Sequence, residues 1–128
     1  MIDIDNFKQI NDTYGHDVGD KVLQRTSAIF KKELLTGEFV GRWGGDEFLF
    51  YLTCKKEHRI EERVRNILLS VSNADWSDLF TANGIHITLS GGIVLIEDLI
   101  DERKMLKAAD IYLYESKLQG RNQVQIGT

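Results

Sequence analysis

Residues 39 to 51 read Phe39-Val40-Gly41-Arg42-Trp43-Gly44-Gly45-Asp46-Glu47-Phe48-Leu49-Phe50-Tyr51. Two aromatic-rich, β-prone runs flank a Gly44-Gly45 pair, a combination that closes a tight hairpin. Type I′ and II′ turns need positive φ angles, which glycine adopts at little steric cost. Two acids, Asp46 and Glu47, follow the glycines directly. Adjacent carboxylates repel unless a cation or a substrate proton answers them. Successive strand residues point to opposite faces, so the two acids are expected to have different tasks unless the turn twists them together. Taken alone, the tetrapeptide reads equally well as a solvated acidic turn.

Outward from the hairpin, the chain opens with Met1-Ile2-Asp3-Ile4-Asp5, a period-2 strand pattern. Two acids on one face of a strand end are costly to leave unpaired and hint at a metal; the competing reading is an edge strand that uses charge to discourage aggregation. A short helix is predicted over residues 6–12, with Gly15 as its stop. A longer one follows from about Asp20 to Leu34, with Val22, Leu23, Thr26, Ile29, Phe30 and Leu34 inward and Asp20 at its positive end. His16 falls in the loop between them and reads as a hydrogen-bonded structural residue.

After the hairpin, 39–53, a helix is predicted over 58–72. An irregular stretch over 73–84 folds Trp76 and Phe80 back as cover. A strand over 85–96 has Gly91-Gly92 marking a bulge or a close backbone approach. The last helix spans 101–118 with Met105, Leu106, Ala109, Tyr112 and Leu113 as its inward stripe. Gly120 ends it, and 122–126 forms an edge strand. The order β-α-α-β-β-α-β-α-β contains a βαββαβ core. The expected fold class is α+β: a ferredoxin-like or palm-type, mostly antiparallel sheet with helices on one face and a short C-terminal strand.

Bulk properties bound the function. At 128 residues the chain is one domain, and 42% hydrophobic with 28% charged residues is ordinary for a soluble globular protein. A net charge of −4 argues against a broad nucleic-acid surface but leaves room for a local basic pocket around one nucleotide. One cysteine, Cys54, excludes an intrachain disulfide and suits a reducing cytosol, so a cytoplasmic location is expected. No apolar run is long enough to span a bilayer and no signal peptide is visible, so this segment is expected to make no membrane contact. Opening almost inside a strand suggests a piece of a longer protein, with any sensor or anchor upstream.

No P-loop and no Gly-x-Gly-x-x-Gly fingerprint is present. What remains is a carboxylate set: Asp3 and Asp5 at one strand end, Asp46 and Glu47 at the hairpin. If the first strand lies beside the hairpin, the sets converge. A few acids completed by phosphates and water are how proteins usually hold magnesium. Lys117 and Arg121, i and i+4 at the end of the last helix, suit phosphate, although positive charge is favoured at any helix C-terminus.

Three blocks now stand together: Asp3-Ile4-Asp5-Asn6-Phe7-Lys8-Gln9-Ile10-Asn11-Asp12 with Gly15-His16 and Gly19-Asp20; Arg42 to Phe48; and Ala109-Asp110, Leu113-Tyr114, Lys117 and Gly120-Arg121-Asn122. In this order, over nearly the whole chain, they resemble the GGDEF diguanylate cyclases. The resemblance implies condensation of two GTP molecules into cyclic di-GMP and pyrophosphate, across a head-to-head homodimer in which each domain holds one GTP. It also implies a magnesium (or manganese) cofactor and an upstream regulatory domain. By position, Asp3, Asp46 and the Ile4 carbonyl resemble metal ligands. Glu47 resembles the acid that helps deprotonate the attacking hydroxyl or binds a second metal. Asn11 and Asp20 resemble guanine readers, whose acceptors suit guanine's donors and leave polar groups unpaired against adenine. Gly44 and Gly45 leave room for the nucleotide. The Asn6, Phe7 and Lys8 amides with Lys117 and Arg121 resemble the triphosphate cradle.

Three departures matter. Many members carry Arg-x-x-Asp before the Gly-Gly, an inhibitory product site; here that window is Leu35-Thr36-Gly37-Glu38, so no such site is expected. The helix and Asp-x-Leu-Thr-Gly-Leu segment that normally precede the first block are missing. Ser116 stands where alanine is usual, a change expected to be tolerated. Two other readings share these features: a non-catalytic GTP-binding regulatory module, and a cyclase acting on a single nucleotide, which would not need Asn11 with Asp20.

Overall fold

The structure, a computed structural model, describes residues 1–54, 57–80, 85–96 and 101–127. At its centre lies β1 (Ile2–Ile4), hydrogen-bonded on both edges. One neighbour is β3 (Glu47–Tyr51), the inner strand of a hairpin whose outer strand is β2 (Phe39–Gly44); the other is β4 (Leu89–Val94). With β5 (Val124–Gly127) the sheet order is β2-β3-β1-β4-β5, antiparallel except for the parallel β4–β5 pair. The α+β, mostly antiparallel expectation holds. The edge-strand reading of residues 1–5 does not, because β1 is central.

Alternation along β1 sorts the two faces. Ile2 and Ile4 are buried in one core with Phe48, Leu89 and Val124 from neighbouring strands. Three helices cover this face: α1 (Phe7–Tyr14), α2 (His16–Glu33) and α3 (Glu57–Ser72), contributing among others Ile10, Val22, Phe30, Val64, Ile67 and Val71. Phe30 meets Phe48 and Phe50 edge to face, with centroids 5.0 and 4.8 Å apart, each worth about 0.5–1.5 kcal/mol beyond area burial. Trp76 and Phe80 fold back as expected, the Trp76 indole donating to the Val71 carbonyl at 2.9 Å. Residues 81–84 of that irregular stretch lie outside the described residues.

The helices do not all share one face. α4 (Glu102–Leu118) lies on the opposite side of the sheet, over Gly92, where a Cβ would sit 2.2 Å from the Ala109 carbonyl oxygen and 2.5 Å from the Leu113 nitrogen. Both are backbone atoms and cannot yield, so Gly92 serves close approach, the second of the two roles expected for Gly91-Gly92. Buried Ser116 donates to the Gly91 carbonyl at 2.6 Å, so the hydroxyl at the usual alanine position is satisfied. Helical periodicity shows that a stripe is buried but not which side of a sheet receives it, which is why the one-face expectation failed.

Two boundaries also moved. α2 begins at His16 rather than Asp20, because Gly15 (φ 94°) makes the break and Gly19 continues the helix, its N–H donating to the Gly15 carbonyl at 3.2 Å. His16 is therefore helical, and Asp17, not Asp20, is the acid of the first turn. β4 is shorter than the predicted 85–96.

Candidate active site

The hairpin tip differs in detail from the Gly-Gly turn expected. Gly44 pairs with Glu47, so the two loop residues are Gly45 and Asp46, with Gly45 at φ 44°. The register slips between Arg42 and Gly44, and the Arg42 Nε donates to the Gly45 carbonyl at 2.7 Å, latching the tip. Asp46 thus belongs to the turn and escapes strand alternation. The Ile4 N–H donates to its carbonyl at 3.2 Å.

Asp3 is the residue that faces this tip. It pairs in register with Glu47, and the Asp46 carboxyl is near enough to favour its protonated form. Only 3% of Asp3 is exposed. Lys117 of α4 donates to Asp3 Oδ2, while Oδ1 is buried with no hydrogen-bond partner among the described residues. Burial pushes the Asp3 carboxyl up to about 7, Asp46 adding to the rise and Lys117 opposing it. Burial pulls the Lys117 ammonium down, but Asp3 first, then Asp46 and Glu47, outweigh it and hold it above its ordinary value. Asp3, Asp46, Glu47 and Lys117 therefore form one charged cluster. A cavity of about 340 Å³ beside it is lined by Glu47, Asp110, Ile111, Leu113, Tyr114 and Lys117. A roomier one of about 510 Å³ is lined, among the described residues, by none of these acids and by no charged side chain.

The remaining candidate residues lie at the exit of β1, on α1 and α2, at the hairpin tip and at the corner after α4. Asn6 follows β1 with a left-handed backbone (φ 57°) that asparagine tolerates, and caps α1 without a side-chain bond. Phe7 and Lys8 begin that helix, where the first amides have no intrahelical acceptor. Asn11 of α1 lies against α2: a Cβ on Gly19 would fall 1.8 Å from Asn11 Oδ1. Asp20, exposed, follows Gly19 in α2. Cβ atoms built on Gly44 and Gly45 meet nothing within 4 Å. Arg121 is exposed at the corner after α4, with φ 64°.

One residue turns out differently from the sequence reading. Asp5 does not join the acids, since Ser90, Thr88 and the Asn122 amide use both its oxygens. Glu38 is buried: Arg63 grips it with two nitrogens at 2.6 and 2.7 Å, and the Leu35 and Thr53 amides donate at 2.7 and 2.8 Å. Gly19 and Arg42 were missed as supports of the site. A mid-helix glycine was the signal available for the first; nothing signalled the second.

An antiparallel sheet whose central strand and hairpin tip gather acids opposite a lysine is an arrangement suited to a divalent cation with a phosphorylated ligand. The family comparison agrees: the model for the diguanylate cyclase GGDEF domain matches residues 1–123. The chain belongs to the GGDEF domain family. It is 37% identical over 131 residues to diguanylate cyclase DosC of Escherichia coli K12, covering 98% of this chain and 27% of that protein. It is likewise 37% identical over 130 residues to diguanylate cyclase A of Treponema denticola, covering 98% and 34%. The chain thus spans about a quarter to a third of these relatives. Among solved structures, the GGDEF domain of DgcB from Caulobacter crescentus in complex with c-di-GMP superposes with TM-score 0.86 at 29% identity, covering 98% of this chain and 74% of that one. Diguanylate cyclase SiaD from Pseudomonas aeruginosa, in complex with its activator SiaC, gives 0.88 at 29%, covering 98% and 48%.

Proposed function

We propose that this domain is a diguanylate cyclase that condenses two GTP molecules into cyclic di-GMP with release of pyrophosphate. The observation that carries the reading is Asp3: a buried carboxylate with an orphaned oxygen, facing the Asp46 carboxyl and paired in register with Glu47. Buried polar atoms without partners are rare in folded proteins, and two converging carboxylates suit a hard cation. Among the described residues no three His, Cys, Asp or Glu side chains cluster tightly enough to cage an ion alone. That fits magnesium or manganese completing its shell with substrate phosphates and water. Asp3, Asp46 and the Ile4 carbonyl are the assigned ligands, with Glu47 nearby. A divalent ion held by these residues would supply Lewis-acid chemistry, favouring a deprotonated hydroxyl nucleophile and offsetting phosphate charge.

The chain's own groups do the rest. Glu47 accepts the proton of the attacking 3′-hydroxyl or supports a second ion. Lys117 and Arg121, with the amides of Asn6, Phe7 and Lys8, hold the triphosphate; Gly44 and Gly45 leave space over the hairpin tip. Asn11 and Asp20 accept from the guanine N1–H and N2–H₂, leaving adenine's pattern unpaired. Each domain carries one GTP, so ring closure needs two copies face to face, brought together by a regulatory domain elsewhere in the full-length protein. No helix of the described residues is long and apolar enough to cross a membrane, and the domain acts in the cytoplasm.

Incubation with GTP and magnesium, with chromatography of the products, tests the reading. Cyclic di-GMP is expected, more from copies fused to a dimerising coiled coil than from the free chain. GTP binding without turnover in the forced dimer would make the domain a regulatory module instead; 3′,5′-cyclic GMP would make it a single-nucleotide cyclase.

A further inference from the structure

Asp5 shares its strand face with Asp3 but serves a different purpose. Its carboxylate is buried and accepts from Ser90 Oγ at 2.6 Å, Thr88 Oγ1 at 2.8 Å and the Asn122 N–H at 3.1 Å. No lysine or arginine is among these partners. A buried carboxylate without a cation is expensive to maintain, so the contacts it makes need a reason.

The Asn122 amide supplies one. Gly120, Arg121 and Asn122 run at φ 117°, 64° and 51°, three left-handed residues in a row at the corner between α4 and β5. Glycine adopts this region freely and asparagine tolerates it; for arginine it is uncommon. Such backbone persists only where its surroundings over-determine it. Here the Arg121 N–H donates to the Ser116 carbonyl at 3.0 Å, and Gln123 Nε2 donates to the Arg121 and Gln119 carbonyls at 3.1 and 3.0 Å. Those bonds stay within the corner and its own helix. The Gly91 N–H of β4 donates to the Gln123 carbonyl at 2.9 Å, and the bond from Asn122 to Asp5 ties the corner to the residue that follows β1, two from Asp3.

We propose that Asp5 is a positioning residue for nucleotide binding: through the Asn122 amide it fixes the Arg121 corner in register with the acidic cluster, so that Arg121 and Lys117 meet phosphate beside Asp3. The inference rests on the phosphate role given to Arg121 above. An asparagine at position 5 can still offer its oxygen to the Asn122 amide and donate to Ser90, whose hydroxyl reverses; an alanine cannot.

Calorimetric titration with a non-hydrolysable GTP analogue, beside thermal melts, separates the cases in Asp5→Asn, Asp5→Ala, Arg121→Ala and the Asp5→Ala/Arg121→Ala pair. Losing a charge-assisted phosphate contact weakens binding about tenfold or more. Arg121→Ala and Asp5→Ala are each expected to show that loss, the pair no more than Arg121→Ala alone, and Asp5→Asn affinity within about threefold of wild type. Should Asp5→Ala fail to fold, Asp5→Ser takes its place, keeping a polar atom too short to reach Asn122. Additive losses in the pair, or wild-type affinity in Asp5→Ala, overturn the inference while leaving Arg121 on phosphate. Unchanged affinity in Arg121→Ala removes Arg121 from the cradle, and this inference falls with it.

Discussion

The Lys117 ammonium rests on Asp3 Oδ2, joining the last helix to the central strand through an ion pair that is one-third exposed on the lysine side and almost wholly buried on the aspartate side. A divalent ion bound at this carboxylate, as proposed above, would have to compete with the lysine. Lys117→Met is expected to bind manganese several-fold more tightly than wild type when no nucleotide is present, at pH 8, because a pair of this kind is worth about 1 kcal/mol. The same variant binds GTP more weakly. Calorimetric titration of manganese alone decides the first point; unchanged affinity would remove the competition.

Asp46→Ala is expected to reduce magnesium-dependent turnover by more than about 100-fold, since even supporting residues of metal sites cost 10–100-fold. Asp46→Asn, which removes a charge facing Asp3, is expected to melt at a higher temperature than wild type in the absence of metal. Product chromatography and a thermal melt in chelator check the two halves. Full activity in Asp46→Ala is incompatible with the metal assignment.

Gly19→Ala separates fold from recognition. Its Cβ would meet the Asn11 amide group at 1.8 and 2.9 Å and the tip of the Phe7 ring at 3.3 Å, side-chain ends that can move aside, and alanine in a helix interior gains up to about 1 kcal/mol over glycine. Stability is expected within about 1 kcal/mol of wild type while GTP affinity falls and preference over ATP narrows. Competition binding with both nucleotides against a denaturant melt is the measurement.

Glu38 couples the hairpin base to α3. The Arg63 guanidinium foremost, with the Thr53 and Leu35 amides, holds its carboxyl down at about 2 despite burial. The unfolded carboxyl titrates near 4.5, so the unfolded chain binds more protons between those values. The stability this pair contributes is complete above about pH 4.5 and is lost as pH falls towards 2. Melts of wild type and Glu38→Gln are expected to converge over that window. Arg63→Met, which strands the carboxylate, costs roughly 3–5 kcal/mol at neutral pH. With Glu38 so engaged and Leu35 in place of an arginine, isothermal titration is expected to find no tight product binding at this window.

Much of the fold was legible because its signals are local. Alternation in Ile2-Asp3-Ile4-Asp5, the glycine-tipped hairpin and the helical stripes each report on a few neighbouring residues, and element order then restricts the sheet. What was missed depends on contacts distant in sequence. Gly19 was left ahead of the helix because its reason for being a glycine inside it, Asn11, sits on another helix. α4 was assigned the wrong face because nothing within 102–118 refers to Gly92. Asp5 looked like Asp3 because its partners lie 83 to 117 positions away. For the acidic cluster, the three blocks together pointed to the same residues that the sheet gathers, although the turn carries Asp46 one position nearer the tip than a Gly-Gly loop would.

Because β1 is bonded along both edges and covered on both sides, its amides meet solvent only when the whole domain opens, and hydrogen exchange there should report global unfolding. An acid mounted on that strand cannot breathe on its own. In the reaction proposed above, whatever adjustment aligned two nucleotides would come from the helices' ends, the hairpin tip or a second copy, with Asp3 as the stationary point against which they move.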